Sequence, residues 1–303
     1  NPARIRTARI CRRVQSMAVS DSGLALIIRD AIGSYSSYMK FDRIPHEPRR
    51  LRRCCVRDYS ADMMEMNDMQ TIFVTGTDTS VGKTYISCLL IRKLRQSGLT
   101  VGAYKPACSG AEFDSSGSPH WSDVDALQSA TGLNVPIDLV CPQRFLAAVA
   151  PNVAARQDGT TVSSDLLISG VSEWQDIADV LIMEGAGGVF CPLSDELTVL
   201  DFAIQMQAPV LVVAANRLGV ISHTRLTVER LRQSGLNVAG VILNELQESD
   251  GNDASLATNA QQISHWLPDI ALLHVGFRSD LIILMHHDTA LKNLLLAGIV
   301  DRY

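Results

Sequence analysis

No stretch of this chain is apolar for long enough to span a membrane, and none of its seven cysteines form a Cys-x-x-Cys pair. The first absence removes a helical membrane anchor. The second removes the common zinc and redox signatures. The seven histidines show no metal-ligand spacing, and the adjacent His286-His287 pair points two ways and is expected at the surface. No Ser/His/Asp or Cys/His arrangement follows from spacing. Basic residues are also scarce once the first segment is passed. Residues 1–58 hold thirteen Lys and Arg against five acids, which leaves fourteen against twenty-seven in the remainder. A body this acidic is not expected to bind nucleic acid.

What is present is a core. The 303 residues are 47% hydrophobic and only 19% charged, enough for one large α/β domain plus something extra. The extra part is residues 1–68. Arginines crowd positions 4, 6, 9, 12 and 13 and again 49, 50, 52 and 53, while the apolar run 23–28 is too short and isolated to make a core. Arg- and Ser-rich segments occur in targeting peptides, but five scattered acids argue against that here. A disordered basic extension is the expectation, with the folded unit covering 69–303. The chain begins at Asn1, and Met69 stands where a natural start would lie, directly before the first strand. Cys54-Cys55 reads as two free thiols. Cys88, Cys108, Cys141 and Cys191 read as reduced thiols of a cytoplasmic protein.

The chain is organised around one stretch. Ile72-Phe73-Val74 is a buried strand in outline, followed by Gly76-Thr77-Asp78-Thr79-Ser80-Val81-Gly82-Lys83-Thr84 and then a helical pattern. Ile86, Leu89, Leu90 and Leu94 fall on one helix face, and Gly98 stops it. A strand, a Gly-rich turn and a helix opening with Gly-Lys-Thr make a phosphate-binding loop. Its backbone N–H groups and the positive helix end take phosphate oxygens. Lys83 is placed to reach the β- and γ-phosphates, and the Thr84 hydroxyl to hold Mg²⁺. Five residues separate Gly76 from Gly82, one more than the usual phosphate loop has.

Short apolar runs then alternate with helical patterns. Strands are expected at 100–104, 179–183, 209–213, 238–243 and 270–275, with a helix from Asp123, another capped by Ser163 or Ser164, and a third around 226–231. The segment after Pro142 reads as irregular. Continuous apolar strands separated by helices predict a doubly wound, mostly parallel sheet of the P-loop NTPase type, covered on both faces. Ligands of such sheets bind beyond the carboxyl ends of the strands. Glu184 ends the third strand there and is a carboxylate suited to Mg²⁺ beside Thr84. Asp123 and Asp125 open a helix, and each is open to reading as a cap or as a metal ligand. Lys105 ends the second strand on the same rim as Lys83. Two lysines beside a phosphate loop suit a reaction that builds negative charge.

Taken together these residues resemble dethiobiotin synthetase, the ATP-dependent ligase that closes the ureido ring in biotin synthesis. The resemblance runs from Thr71 to Val275. It includes the phosphate loop Gly76–Thr84, whose five-residue spacing it explains. It includes Tyr104-Lys105-Pro106 with Ser109-Gly110, Ser122-Asp123, Glu184–Gly188 followed by Pro192-Leu193-Ser194, Leu218-Gly219-Val220-Ile221-Ser222-His223, and Asn244. The resemblance implies that Gly76 to Thr84 bind ATP, that Lys83 and Lys105 stabilise the transferring phosphoryl group, and that Thr84, Asp123 and Glu184 hold Mg²⁺. It implies that Thr79 and Ser109 contact the carbamate and substrate side, and that Asn244 hydrogen-bonds the adenine. The backbone near Gly187 and the helix start at Val220, Ile221 and Ser222, the latter from the partner of a homodimer, would receive the substrate carboxylate. The implied substrates are 7,8-diaminononanoate, CO₂ and ATP.

Two departures stand out. Ser80 takes a position where some members have Glu, and the family's Gly-x-Ile-Pro segment is replaced by Leu273-His274-Val275-Gly276, which bears on nucleotide selectivity. The first rival is a ParA-like ATPase switch. Its signature lysine is replaced by Asp78. The second is a related glutamine-dependent amide ligase. It needs a further glutaminase domain, for which the residues after Val275 leave no space.

Overall fold

The computed structural model describes residues 69–248, 253–280 and 282–286. The expectations for the basic extension, for Cys54-Cys55 and for the His286-His287 side chains lie outside the described residues.

The first strand, β1 (Gln70–Gly76), is buried from Ile72 onward, as its apolar run requires. The loop after it leads into α1 (Lys83–Gln96), which buries Ile86, Leu89, Leu90 and Leu94 together with Cys88 and Ile91. Lys93 and Arg95 lie in its last turn, where positive charge complements the helix dipole. Next come β2 (Val101–Tyr104), β3 (Ala107–Ser109), and the short antiparallel pair β4 (Glu112–Phe113) and β5 (Pro119–His120). Helices α2 (Ser122–Thr131) and α3 (Ile137–Val140) precede β6 (Gln143–Phe145), which pairs with β3. Helix α4 (Pro151–Gln157) carries its proline in the first turn, where the missing N–H costs nothing. Helix α5 (Ser164–Ser169) is capped by Ser163, whose side chain accepts from the Leu166 N–H.

The chain continues through β7 (Val180–Gly188), α6 (Val199–Met206), β8 (Val210–Ala215), α7 (Val220–Gln233), β9 (Val238–Asn244), α8 (Leu256–Trp266), β10 (Leu272–Val275) and β11 (Ile283–His286). Seven strands form one sheet in the order β11-β10-β9-β8-β1-β7-β2, parallel except for β11, which runs antiparallel to β10. All six residues of β8 are buried, so both faces of the sheet are covered. The Phe73 and Phe202 rings pack with centroids 5.7 Å apart between β1 and α6. This is the expected doubly wound α/β fold, and no helix among the described residues is long and apolar enough to cross a membrane.

The structure differs from the sequence reading in several places. The segment read as irregular after Pro142 contains β6 and α4. Helices α6 and α8 and strand β11 were not foreseen. The third strand does not end at Met183. Pairing with β1 continues from Val74↔Glu184 to Gly76↔Gly188 across a register shift. The shift sets four steps of β7 against two of β1, a bulge that small residues at 185–188 accommodate without side-chain clashes. Glu184 therefore lies inside a strand.

Candidate active site

The carboxyl ends of β1, β2, β7, β8 and β9 form the rim expected to carry the ligand. The loop after β1 is tied down at its start, where the Thr77 N–H donates to the Val213 carbonyl at 2.9 Å. Asp78 organises the next turn. Its Oδ1 accepts the Thr79 N–H at 2.7 Å, and its carbonyl accepts Lys83 Nζ at 3.0 Å. Its Oδ2 faces Arg217 Nη2 at 3.4 Å. Gly82 precedes α1 at φ 88°, and no side chain caps the helix there. The first N–H groups of α1 are thus left to a ligand, the arrangement that binds phosphate. Only glycine fits at 82. The positive φ strains other residues, and a Cβ would run into Asn244 Nδ2.

Asn244 ends β9 against this loop. It is 2% exposed, and its Nδ2 donates to the Val81 carbonyl at 3.0 Å. Its Oδ1 has no partner among the described residues. The amide nitrogen is therefore committed to the loop, and the oxygen is the atom left for a ligand.

Three carboxyl-edge segments meet behind the loop. Lys105, just past β2, donates to Glu184 Oε1 at 2.7 Å and to Asp123 Oδ2 at 2.5 Å. The Thr84 hydroxyl donates to the same Glu184 Oε1 at 2.8 Å. Lys105 is 4% exposed and Glu184 fully buried. Burial alone would discharge Lys105, but the Glu184 and Asp123 carboxylates outweigh it and raise its pKa above the ordinary lysine value. Lys83 moves the other way. Its burial dominates and lowers its pKa, with Glu184 opposing and Lys105 adding to the shift. Asp123 is also penalised by burial, but Lys105 prevails and holds it below the usual carboxylate value. Asp123 is not a helix cap, since Trp121 occupies that position without a side-chain bond. Asp125 instead faces His120 at 3.1 Å.

The oxygen set of Thr84, Asp123 and Glu184 suits a hard cation such as Mg²⁺, which takes few protein ligands beside phosphate oxygens. Glu184 Oε2 strengthens the fit. It is a buried carboxylate oxygen with no hydrogen-bond partner among the described residues, which a cation would satisfy.

The remaining expected residues fall around this cluster. Gly187, at φ 60°, packs so that a Cβ would come within 3.4 Å of Thr79 Oγ1 and 3.2 Å of Cys191 Sγ. Thr79, Gly187 and Cys191 therefore share one corner. Ser109 lies on β3, and its hydroxyl donates to the Val149 carbonyl at 2.6 Å. Val220, Ile221 and Ser222 open α7 behind Gly219, at φ 92°, with no side-chain cap. Among the described residues their side chains make no hydrogen bond to the Lys105 cluster. The four thiols 88, 108, 141 and 191 are free. Burial raises the pKa of each, that of Cys88 to about 12 and that of Cys108 to about 11.

Sequence reasoning missed a cavity of about 250 Å³ on the same rim, lined by Asn216, Arg217, Glu245, Leu246 and Leu256 among others. Asn216 and Arg217 directly follow β8, and Glu245 directly follows β9. Their place at strand ends was the signal available.

Comparison with known proteins agrees with this geometry. A sequence profile described as an AAA domain matches residues 70–280. The ATP-dependent dethiobiotin synthetase of Anaeromyxobacter dehalogenans is 40% identical over 214 residues, covering 67% of this chain and 93% of that protein. That of Rhodopirellula baltica is 41% identical over 204 residues, covering 64% and 79%. That of Caulobacter vibrioides is 40% identical over 190 residues, covering 62% and 85%. With a phosphate loop, a second buried lysine and an unsatisfied carboxylate brought to one rim, and relatives matched over most of their length, the chain belongs to the ATP-dependent dethiobiotin synthetase family.

Proposed function

We propose that this enzyme uses ATP to join CO₂ to 7,8-diaminononanoate and close the ring of dethiobiotin, the step its relatives serve in biotin synthesis. One observation carries the residue-level reading: Lys105, buried, lies between Glu184 and Asp123 and beside Lys83 at the mouth of a phosphate loop. A simple nucleotide switch has no use for that second ammonium.

One amine of the substrate takes up CO₂ as a carbamate and releases a proton. The carbamate oxygen attacks the γ-phosphorus, and ADP departs, leaving a carbamic-phosphoric anhydride. The second amine attacks the carbonyl carbon, phosphate leaves, and the ring closes with loss of a proton. The protein's task is to position these groups and balance their charge. Residues Gly76 to Thr84 hold the triphosphate through backbone N–H groups, with Lys83 on its terminal oxygens. Lys105 stands between two anions, the carbamate and the γ-phosphate, whose repulsion a dry site would magnify. Thr79 and Ser109 offer hydroxyls to the carbamate side. The backbone at Gly187 and the uncapped start of α7 in a second copy, at Val220 to Ser222, take the substrate carboxylate without a basic side chain. Asn244 offers its oxygen to the adenine.

Thr84, Asp123 and Glu184 would hold Mg²⁺, which when bound neutralises charge on the phosphate oxygens. Glu184→Gln is then expected to keep the fold and lower turnover by at least ~10²-fold, partly recovered by raising Mg²⁺. A wild-type Mg²⁺ dependence would remove Glu184 from the site. We place the enzyme in the cytoplasm, acting as a homodimer. The reaction itself is tested by following ADP release with and without diaminononanoate, alongside dethiobiotin formation from the diamine, bicarbonate and MgATP. ATP hydrolysis indifferent to the diamine, with no product, would point to a switch instead.

A further inference from the structure

Asp123 is the carboxylate of the cluster with the least support around it. Its side chain is 48% exposed, whereas Glu184 is fully buried. It lies in the first turn of α2, whose start has no side-chain cap. The chain reaches α2 through the β4–β5 hairpin, which is exposed along nearly all its length. Burial, capping and the preceding segment therefore leave the place of Asp123 at Lys105 Nζ unexplained.

Trp121 supplies the missing anchor. Its indole Nε1 donates to the Phe145 carbonyl at 2.9 Å. Arg144 lays its guanidinium over the same ring, 5.5 Å from the centroid, where a cation is attracted by the ring face. Arg144 is itself held, by Asp138 Oδ1 at 2.6 Å and by the Cys141 carbonyl. Arg144 and Phe145 belong to β6, which pairs with β3 in the register Ala107↔Gln143, Cys108↔Arg144 and Ser109↔Phe145. Strand β3 begins two residues after Lys105, and the Lys105 N–H donates to the Val140 carbonyl at 2.8 Å. Both halves of the Lys105–Asp123 pair thus hang from one two-stranded sheet. Lys105 leads into β3, and Trp121, two residues before Asp123, is bonded to β6.

We infer that Trp121 is a positioning residue for Asp123. It fixes the first turn of α2 to β6, so that the Asp123 carboxylate is held ready between Lys105 and the metal, and Arg144 steadies its ring. The inference rests on the metal reading above and goes beyond it in naming what sets the ligand in place. A carboxylate released from this anchor spends only part of its time in the binding position. Metal affinity then falls by that fraction, while a ligand that does not use Asp123 is unaffected.

The test is Mn²⁺ binding to the full chain with its β,γ-methylene-ATP complex, counted by electron paramagnetic resonance with enzyme in excess over nucleotide. Calorimetric binding of the same nucleotide without metal runs beside it. Trp121→Phe keeps a ring beneath Arg144 and deletes the N–H. Mn²⁺ affinity is expected to fall by roughly 2- to 10-fold, the factor for one net hydrogen bond, with metal-free nucleotide affinity as in wild type. Arg144→Met should shift Mn²⁺ affinity in the same direction, and it carries the test if Trp121→Phe proves too unstable to measure. The double variant decides between positioning and mere packing. Added to Asp123→Asn, Trp121→Phe should cost no further Mn²⁺ affinity, because the group it positions is already gone. A merely structural role would make the two losses add or would weaken metal-free nucleotide as well. Either of those results, or wild-type Mn²⁺ affinity in both Trp121→Phe and Arg144→Met, overturns the inference. Wild-type Mn²⁺ affinity in Asp123→Asn alone would instead show that the metal reading has failed, and the inference with it.

Discussion

At the scale of the residue, the site is a question of how buried charges are kept. Lys105 and Glu184 are nearly or fully buried, and each would be untenable alone. Lys105→Ala strips Glu184 of its ammonium and should lower stability by about 3–5 kcal/mol in a denaturant titration, the usual effect of breaking a buried pair. Nucleotide affinity should stay within a few-fold of wild type, and dethiobiotin formation should drop by roughly 10²-fold or more. Product at the wild-type rate would end the assignment. Asp123 supplies a pH prediction. Its folded pKa lies below the ordinary 3.8, so its contribution to stability is present above that value and is lost as pH falls through the folded value. The melting-temperature gap between wild type and Asp123→Asn should hold from neutral pH to about 5 and close on further acidification. A gap independent of pH would mean that the Lys105 contact adds nothing through charge.

How far these residues could be read in advance depended on how far apart they lie in the chain. Lys83 and Thr84 announce themselves because Gly82-Lys83-Thr84 is contiguous and follows a strand. Lys105, Asp123 and Glu184 come from three separate segments; their strand ends put Lys105 and Glu184 on one rim, and the resemblance added Asp123. Asn259 was not legible at all. Its bond to Asn216 joins α8 to the end of β8, and no local pattern encodes such a contact.

At the scale of the element, β1, its loop and α1 act as one device, and Gly82 is where strand geometry is converted to helix geometry. Gly82→Ala must hold a left-handed conformation at a cost of about 1–2 kcal/mol and must also displace Asn244. Asn244 bonds the loop at the Val81 carbonyl and is the residue we propose meets the adenine. Nucleotide affinity should therefore suffer by more than the loss in stability alone accounts for, seen by comparing calorimetric binding with thermal melting. Affinity falling only in step with stability would show that Asn244 is a spectator. The strands were legible because each is a run of apolar residues buried on both faces. Their ends were less so. Glycines 185, 187 and 188 carry the turn signal, yet pairing with β1 resumes at Gly188 beyond the bulge, so the strand continues past them. Strand β11 was missed because it is only four residues long and lies at the end of the sheet, after β10.

At the scale of the whole molecule, the sheet and its rim account for everything the enzyme is proposed to do, and the matched profile starts at residue 70. We propose that residues 1–68 take no part in the reaction. A chain beginning at Met69 should keep full turnover and the same melting temperature. A loss above ~1 kcal/mol on truncation would show that the arm packs on the body.

Such a shortened chain would also have a property useful at the bench. It retains four thiols, of which Cys88, Cys108 and Cys141 are buried and Cys191 half-buried. A chromogenic disulfide should titrate one sulfur in the native protein and four in denaturant. That one sulfur shares its corner with Thr79 and Gly187, on the phosphate loop's own doorstep. Its labelling rate would report by absorbance alone whether the loop is occupied, with no fluorophore introduced and no coupled enzyme needed.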